Sequence, residues 1–239
     1  MMAVRTPTDA ELLDAWERAA AEPPPARALR LLAACTQASD DELRALPVGR
    51  RDALLLELRV RLFGPQIESL AECPACHEQL ELAFPAHAIR AEAEPPDDPL
   101  QVSFGAYTVT ARLPTAGDLL ALHAANGAAR ELLLERCVLA VEGDPAEPLP
   151  DEVVGALAQH MAAADPQADV QIALSCPACG AAWSAPFDIV SFLWRELDAW
   201  ARRTLREVHT LARAYGWREP DVLALSPRRR RAYIELALG

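Results

Sequence analysis

Two copies of one short turn, Cys73-Pro-Ala-Cys76 and Cys176-Pro-Ala-Cys179, constrain this chain more than any other feature. A Cys-x-x-Cys turn offers two thiolates from one tight loop, and two such turns supply the four soft ligands of a closed tetrahedral zinc site. Proline after each first cysteine stiffens the loop. Gly180, which follows the second turn, tolerates the positive φ that lets backbone N–H groups face the sulfurs, whereas His77 stands at the matching place in the first. One structural zinc ion held by Cys73, Cys76, Cys176 and Cys179 is therefore expected.

The 99 residues between Cys76 and Cys176 far exceed ordinary finger spacing. Closing a flexible loop of that length costs about 4 kcal/mol, whereas structural zinc contributes roughly 10–16 kcal/mol in small peptides. The metal wins, and the margin widens if the insertion folds by itself. The expected arrangement is a split zinc ribbon that ties residues 70–85 to residues 170–187, with an inserted hairpin and helices over residues 100–165. A thioredoxin-like redox pair would open a helix, but strand-like alternation follows both turns, as in Gln79-Leu80-Glu81-Leu82-Ala83-Phe84. Cys35 and Cys137 fall on apolar helix faces and read as core. His77 reads as solvated, since four cysteines already fill the shell.

Around this ribbon the pattern is helical. Thr8-Asp9-Ala10-Glu11 has capping-box form and predicts a helix to Ala21, stopped by Pro23-Pro24-Pro25. Helices over 26–35, from Ser39, and over 49–63 complete an N-terminal bundle spanning residues 1–69. Val102–Val109 reads as a hairpin turning at Gly105-Ala106 with type II′ geometry. Helices are predicted over 116–125, 128–140 and 151–164, with acidic, proline-containing connectors at 93–99 and 142–150. Asp188 caps a long helix to Tyr215 with an apolar seam of Leu193, Leu197, Ala201, Leu205, Val208 and Leu211. Two short helices, 219–225 and 227–236, finish a C-terminal arm over residues 188–239. The fold class is mainly α with small β elements (α+β): a helical bundle, the split ribbon and a long C-terminal helix.

All 23 basic residues are arginine, which removes Schiff-base and phosphate-loop lysine chemistry. No glycine-rich phosphate loop, His-Glu-x-x-His or Gly-x-Ser-x-Gly motif occurs. A four-cysteine site leaves no open position for metal-assisted hydrolysis. These features read as a binding or assembly protein, not an enzyme. A net charge of -12 repels nucleic acid and anionic lipid. Without a signal-type apolar segment or a membrane-length apolar run, a cytoplasmic protein with reduced cysteines is expected.

Charge is uneven, however: residues 188–239 carry 10 arginines against 7 acidic residues. Arg228, Arg229, Arg230 and Arg231, with Arg203 and the tryptophans Trp200 and Trp217, combine residue types typical of protein-interface hot spots. They read as a surface for an acidic partner. A zinc-ribbon nucleic-acid adaptor is the alternative.

Two stretches carry a resemblance. Glu207–Trp217, Glu219, Asp221–Leu225 and Arg229–Leu236 look like the C-terminal signature of small phage baseplate and tail-assembly proteins. Leu46-Pro-Val-Gly-Arg-Arg-Asp52, Leu58-Arg59 and Arg61-Leu-Phe-Gly64, with the cysteine turn, resemble the T-even-type baseplate hub assembly chaperone family as it occurs in contractile injection systems. The resemblance implies a non-enzymatic chaperone or resident baseplate subunit of a phage tail-like particle, with other baseplate or tail proteins as partners.

Overall fold

The computed structural model describes residues 2–92, 95–125, 129–143 and 149–238. Four helices come first: α1 (Asp9–Ala19), α2 (Pro24–Cys35), α3 (Asp40–Ala45) and α4 (Val48–Phe63). Reciprocal capping boxes, Thr8 with Glu11 and Ser39 with Glu42, start α1 and α3. Each satisfies backbone N–H groups that an α-helix leaves unpaired at its first turn. Pro47 gives α4 no side-chain cap. The Asp165 carboxylate supplies one from the far side of the chain, accepting the Gly49 N–H at 2.8 Å.

Strands β1 (Gln66–Glu72) and β2 (Gln79–Pro85) form an antiparallel hairpin around the first cysteine turn. β6 (Gln171–Ser175) and β7 (Ala182–Pro186) repeat it around the second. Between them lie β3 (Leu100–Phe104), β4 (Tyr107–Ala111), α5 (Ala116–Ala124), α6 (Ala129–Cys137), β5 (Val138–Glu142) and α7 (Asp151–Ala164). The β3–β4 hairpin turns at Gly105 with φ 60, as the first central position of a type II′ turn requires.

The helix expected over 128–140 is corrected here. Residue 128 lies outside the described residues, α6 ends at Cys137, and Val138–Glu142 pairs with β4 in a β3-β4-β5 sheet. Two valines in this segment favour the extended chain once a partner strand is present. Of the two acidic connectors, 93–94 and 144–148 lie outside the described residues; Pro96–Pro99 is exposed, while Pro95 is buried.

The chain ends in α8 (Ile189–Tyr215), α9 (Glu219–Leu223) and α10 (Pro227–Leu238). Asp188 caps α8 through the N–H groups of Val190 and Ser191, and Gly216 closes it in the left-handed region at φ 68. The buried seam of α8 is Leu193, Leu197, Ala201, Thr204, Val208 and Leu211. Leu205, expected in it, is instead 39% exposed, because the 3-4 spacing after Ala201 turns Thr204 inward.

The main core joins α1, α2, α3, α4, Ile67 of β1 and the first turns of α8. A second, smaller core lies between the β3-β4-β5 sheet and α7, where Val102 and Val109 meet Val153 and Leu157. The ribbon has its own core and the end of α8 another, built on Val208, Leu211 and Val222. Among the described residues, no helix is long and apolar enough to cross a membrane.

Candidate metal centre

The two hairpins place their turns with one backbone pattern. In the first, the Cys73 N–H donates to Glu78 O at 2.9 Å and the His77 N–H to Cys73 O at 2.9 Å. In the second, the Cys176 N–H donates to Ala181 O at 2.8 Å and the Gly180 N–H to Cys176 O at 2.9 Å. The residue after each second cysteine has positive φ, 61 for His77 and 74 for Gly180. His77 thus adopts the conformation that glycine takes for nothing in the other copy, despite the penalty a Cβ carries there.

These turns face each other. Cys73 Sγ lies 3.7 Å from Cys179 Sγ and Cys76 Sγ lies 3.6 Å from Cys176 Sγ, with all four sulfurs within 4.8 Å of one another. A tetrahedral ion with metal–sulfur bonds of about 2.3 Å sets its ligands about 3.8 Å apart. The cluster therefore matches the size of a four-thiolate metal site and can hold one ion. Two cysteine turns separated by 99 residues converge on it.

Packing holds the geometry from below. Cys73 and Cys176 are buried beside Leu80, with Leu82, Ala181 and Trp183 packed around them, while Cys76 and Cys179 form the exposed rim. At the other end of the hairpins Phe84 meets Phe187 edge-on at 6.2 Å, and Phe187 lies 5.3 Å from Phe192 of α8. The ribbon is thereby fixed to the long helix and the main core.

The thiols compete for protons. Burial opposes ionisation of Cys73, but hydrogen bonds from the Ala75 and Cys76 N–H groups and from neighbouring thiols bring it down to about 7. For Cys76 a hydrogen bond from the Glu78 backbone favours the thiolate, yet contacts with Cys179, Cys176 and Cys73, together with desolvation, push it up to about 12. Crowding thiolates in one place is unfavourable without a positive charge among them, and a divalent cation would supply it.

His77 stands outside the shell: its Nδ1 lies 2.6 Å from Glu72 Oε1, and both side chains are exposed. Cys35 and Cys137 are buried away from the cluster, and burial raises both thiols, Cys35 to about 11. Both suit core packing and not ligation.

The expected partner surface divides. Arg203, Arg228, Arg229 and Arg231 are exposed. Trp200 is half-buried against the main core, and Trp217 stacks on Tyr215 at 4.8 Å and meets Tyr233 edge-on at 4.9 Å. Arg230 is a correction. It is only 1% exposed and donates to Glu207 at 3.0 Å, Asp9 at 2.6 Å and Leu225 O at 2.9 Å. Helical periodicity turns one arginine of the four inward, and that guanidinium holds the fold together.

Sequence reasoning missed the buried carboxylates. Asp118 is fully buried, and two guanidinium groups, those of Arg112 and Arg136, together with the Thr115 capping box hold its pKa well below the usual range against desolvation. Asp165 at the start of α4 is likewise buried, and desolvation raises its pKa. Thr115-x-x-Asp118 was a readable capping signal; nothing local marks Asp165 as the cap of a helix 116 residues away.

A model of the family described as T4 bacteriophage base plate protein matches residues 27–194. The matched stretch begins inside α2 and takes in α3 to α7, both cysteine turns and the start of α8; the C-terminal residues that carry the other half of the resemblance lie beyond it. No curated protein matches the chain, and no solved structure does.

Proposed function

This chain belongs to the T4 bacteriophage base plate protein family, and from that premise we propose that it is a non-enzymatic, zinc-stabilised assembly chaperone or baseplate component of a phage tail-like contractile injection particle. The observation that carries the reading is the family match itself, which takes in both hairpins of the cysteine cluster and the helices packed on them. Zinc is the ion this donor set favours, since four thiolates at tetrahedral spacing leave no site for water or substrate. Its role is structural: it closes residues 70–187 into one unit between the helical bundle of residues 1–69 and the arm of residues 188–239. Assembly takes place in the cytoplasm, and the arm, with Trp200, Trp217, Arg203, Arg228, Arg229 and Arg231 on or near its surface, contacts other baseplate or tail proteins. No observation favours the nucleic-acid adaptor, whose tetra-arginine patch loses one member to the interior.

Two measurements test this together. Mass spectrometry of purified tail-like particles and of their assembly intermediates should find the chain in at least one of them; absence from both removes the baseplate role. Metal analysis of the purified protein should return one zinc per chain, falling to none in Cys73→Ser/Cys176→Ser, and a metal-free wild-type chain with unchanged thermal stability removes the structural zinc.

A further inference from the structure

The solvent face of α8 carries a straight row of cations. Arg195, Arg202, Arg206 and Arg213 follow one another at intervals of seven, four and seven residues, with His209 between the last two, and all are exposed. At 1.5 Å per residue the row is about 27 Å long. It lies opposite the buried seam of Leu193, Leu197, Ala201, Thr204, Val208 and Leu211, so the helix divides cleanly into a packed face and a cationic one.

Of the carboxylates of this helix, Asp198 alone pairs with a member of the row. Glu196 is held by Arg59 of α4 at 2.7 Å, and Glu207 by Arg230 of α10 at 3.0 Å. Asp198 accepts from Trp16 of α1 at 3.0 Å and pairs with Arg202 at 2.8 Å. Arg195 rests over the Phe192 ring at 5.7 Å, and Arg203, Arg206 and Arg213 have no ion-pair partner among the described residues. Like charges one turn apart repel along a helix. Arg206 and Arg213, at the C-terminal end of the row, therefore stand uncompensated in a chain of net charge -12.

We propose that this face of α8 is a docking surface for an acidic amphipathic helix of another protein, laid along α8 with its carboxylates three, four and seven residues apart. The arginine spacing sets that requirement, because a partner helix repeats charge at the same intervals along its axis as α8 does. Residues 1–187 carry 13 arginines against 28 acidic residues, so the net charge of the rest of the chain opposes a nucleic-acid duplex. A second copy of this chain is a poor occupant: two-fold pairing sets arginine against arginine, and the two copies repel through their net charges. The family match ends at Trp194, so the row stands outside the matched stretch and rests on its own geometry. The proposal deepens the reading of the chain as an assembly protein, by a surface distinct from α10.

The test is fluorescence anisotropy on the full-length protein in 150 mM salt. Three probes are compared: a designed helical peptide with glutamates on one face, a scrambled peptide of equal composition and helicity with glutamates all round, and a DNA duplex. The one-faced peptide should bind at least tenfold more tightly than the scrambled one and the duplex. Arg206→Glu/Arg213→Glu should lose that binding at least tenfold while keeping its circular dichroism and melting temperature, and should recover a peptide with lysines in place of the glutamates. Equal binding of all probes, or tighter binding of the duplex, overturns the proposal. So does concentration-dependent self-association in sedimentation that the double variant abolishes. Arg228→Ala/Arg229→Ala/Arg231→Ala, run in parallel, separates the two surfaces: loss of the one-faced peptide in that variant alone overturns the α8 row and leaves the α10 arm standing.

Discussion

Gly49 occupies a place where no side chain fits. A Cβ there would lie 1.7 Å from Oδ1 of Asp165, whose Oδ2 accepts the Gly49 N–H. Gly49→Ala must push the carboxylate away, uncapping α4 and leaving a buried charged group poorly paired. The combined steric and hydrogen-bond loss is about 2–4 kcal/mol, and thermal unfolding should register it as a melting point lower by roughly 5–15 °C. Gly155, whose Cβ would meet nothing within 4 Å, is the control, and Gly155→Ala should be neutral or slightly stabilising. Such long-range capping cannot be read in sequence, since Asp165 sits after a helix and before a proline with no local sign of its partner. The cysteines are the opposite case: their chemistry has few uses at this spacing, so the cluster was legible although its halves are 99 residues apart.

Among the elements, the two hairpins are a matched pair with one mismatch. His77 and Gly180 hold the same turn position at φ 61 and 74, and only glycine does so without strain. His77→Gly should raise stability by up to about 1 kcal/mol, the exposed Glu72 pair contributing little against that gain. Gly180→Ala should cost about 1 kcal/mol. Melting temperatures of the two variants that move in the same direction would refute this account of the turns. The helices with capping boxes were legible for a similar local reason, each box lying within four residues of its own helix start. β5 was not, because Val138-Leu139-Ala140-Val141 continues the apolar content of α6 and becomes a strand only through its pairing with β4. Leu205 was misplaced for a subtler reason: leucine is the better core residue, but the phase of the helix gives the inward position to Thr204.

At the scale of the molecule, Arg230 ties three helices that are far apart in sequence, joining α10 to Asp9 of α1 and Glu207 of α8. Removing it leaves two carboxylates facing each other without their cation. Because both are about one-quarter exposed, water softens the loss, and Arg230→Ala should cost about 2–3 kcal/mol, less than the 3–5 typical of a fully buried pair. Arg229→Ala, one residue away and exposed, should change stability by under about 0.5 kcal/mol. Equal effects of the two in chemical denaturation would mean that Arg230 does not clamp the helices. The run of four arginines looked uniform in sequence, and only the helix phase separates the member that builds the fold from those left at the surface.

The distance along the chain between the two cysteine turns also sets an order in time. With translation at roughly 5–20 residues per second, the first turn leaves the ribosome about 5–20 s before its counterpart does. For that interval Cys73 and Cys76 are a half-built binding pocket, open to oxidation and to any competing thiophilic ion. Were the cluster to take up its ion as we propose, the cellular yield of loaded protein would depend on how fast the intervening hundred residues are synthesised and folded as well as on the strength of the finished site.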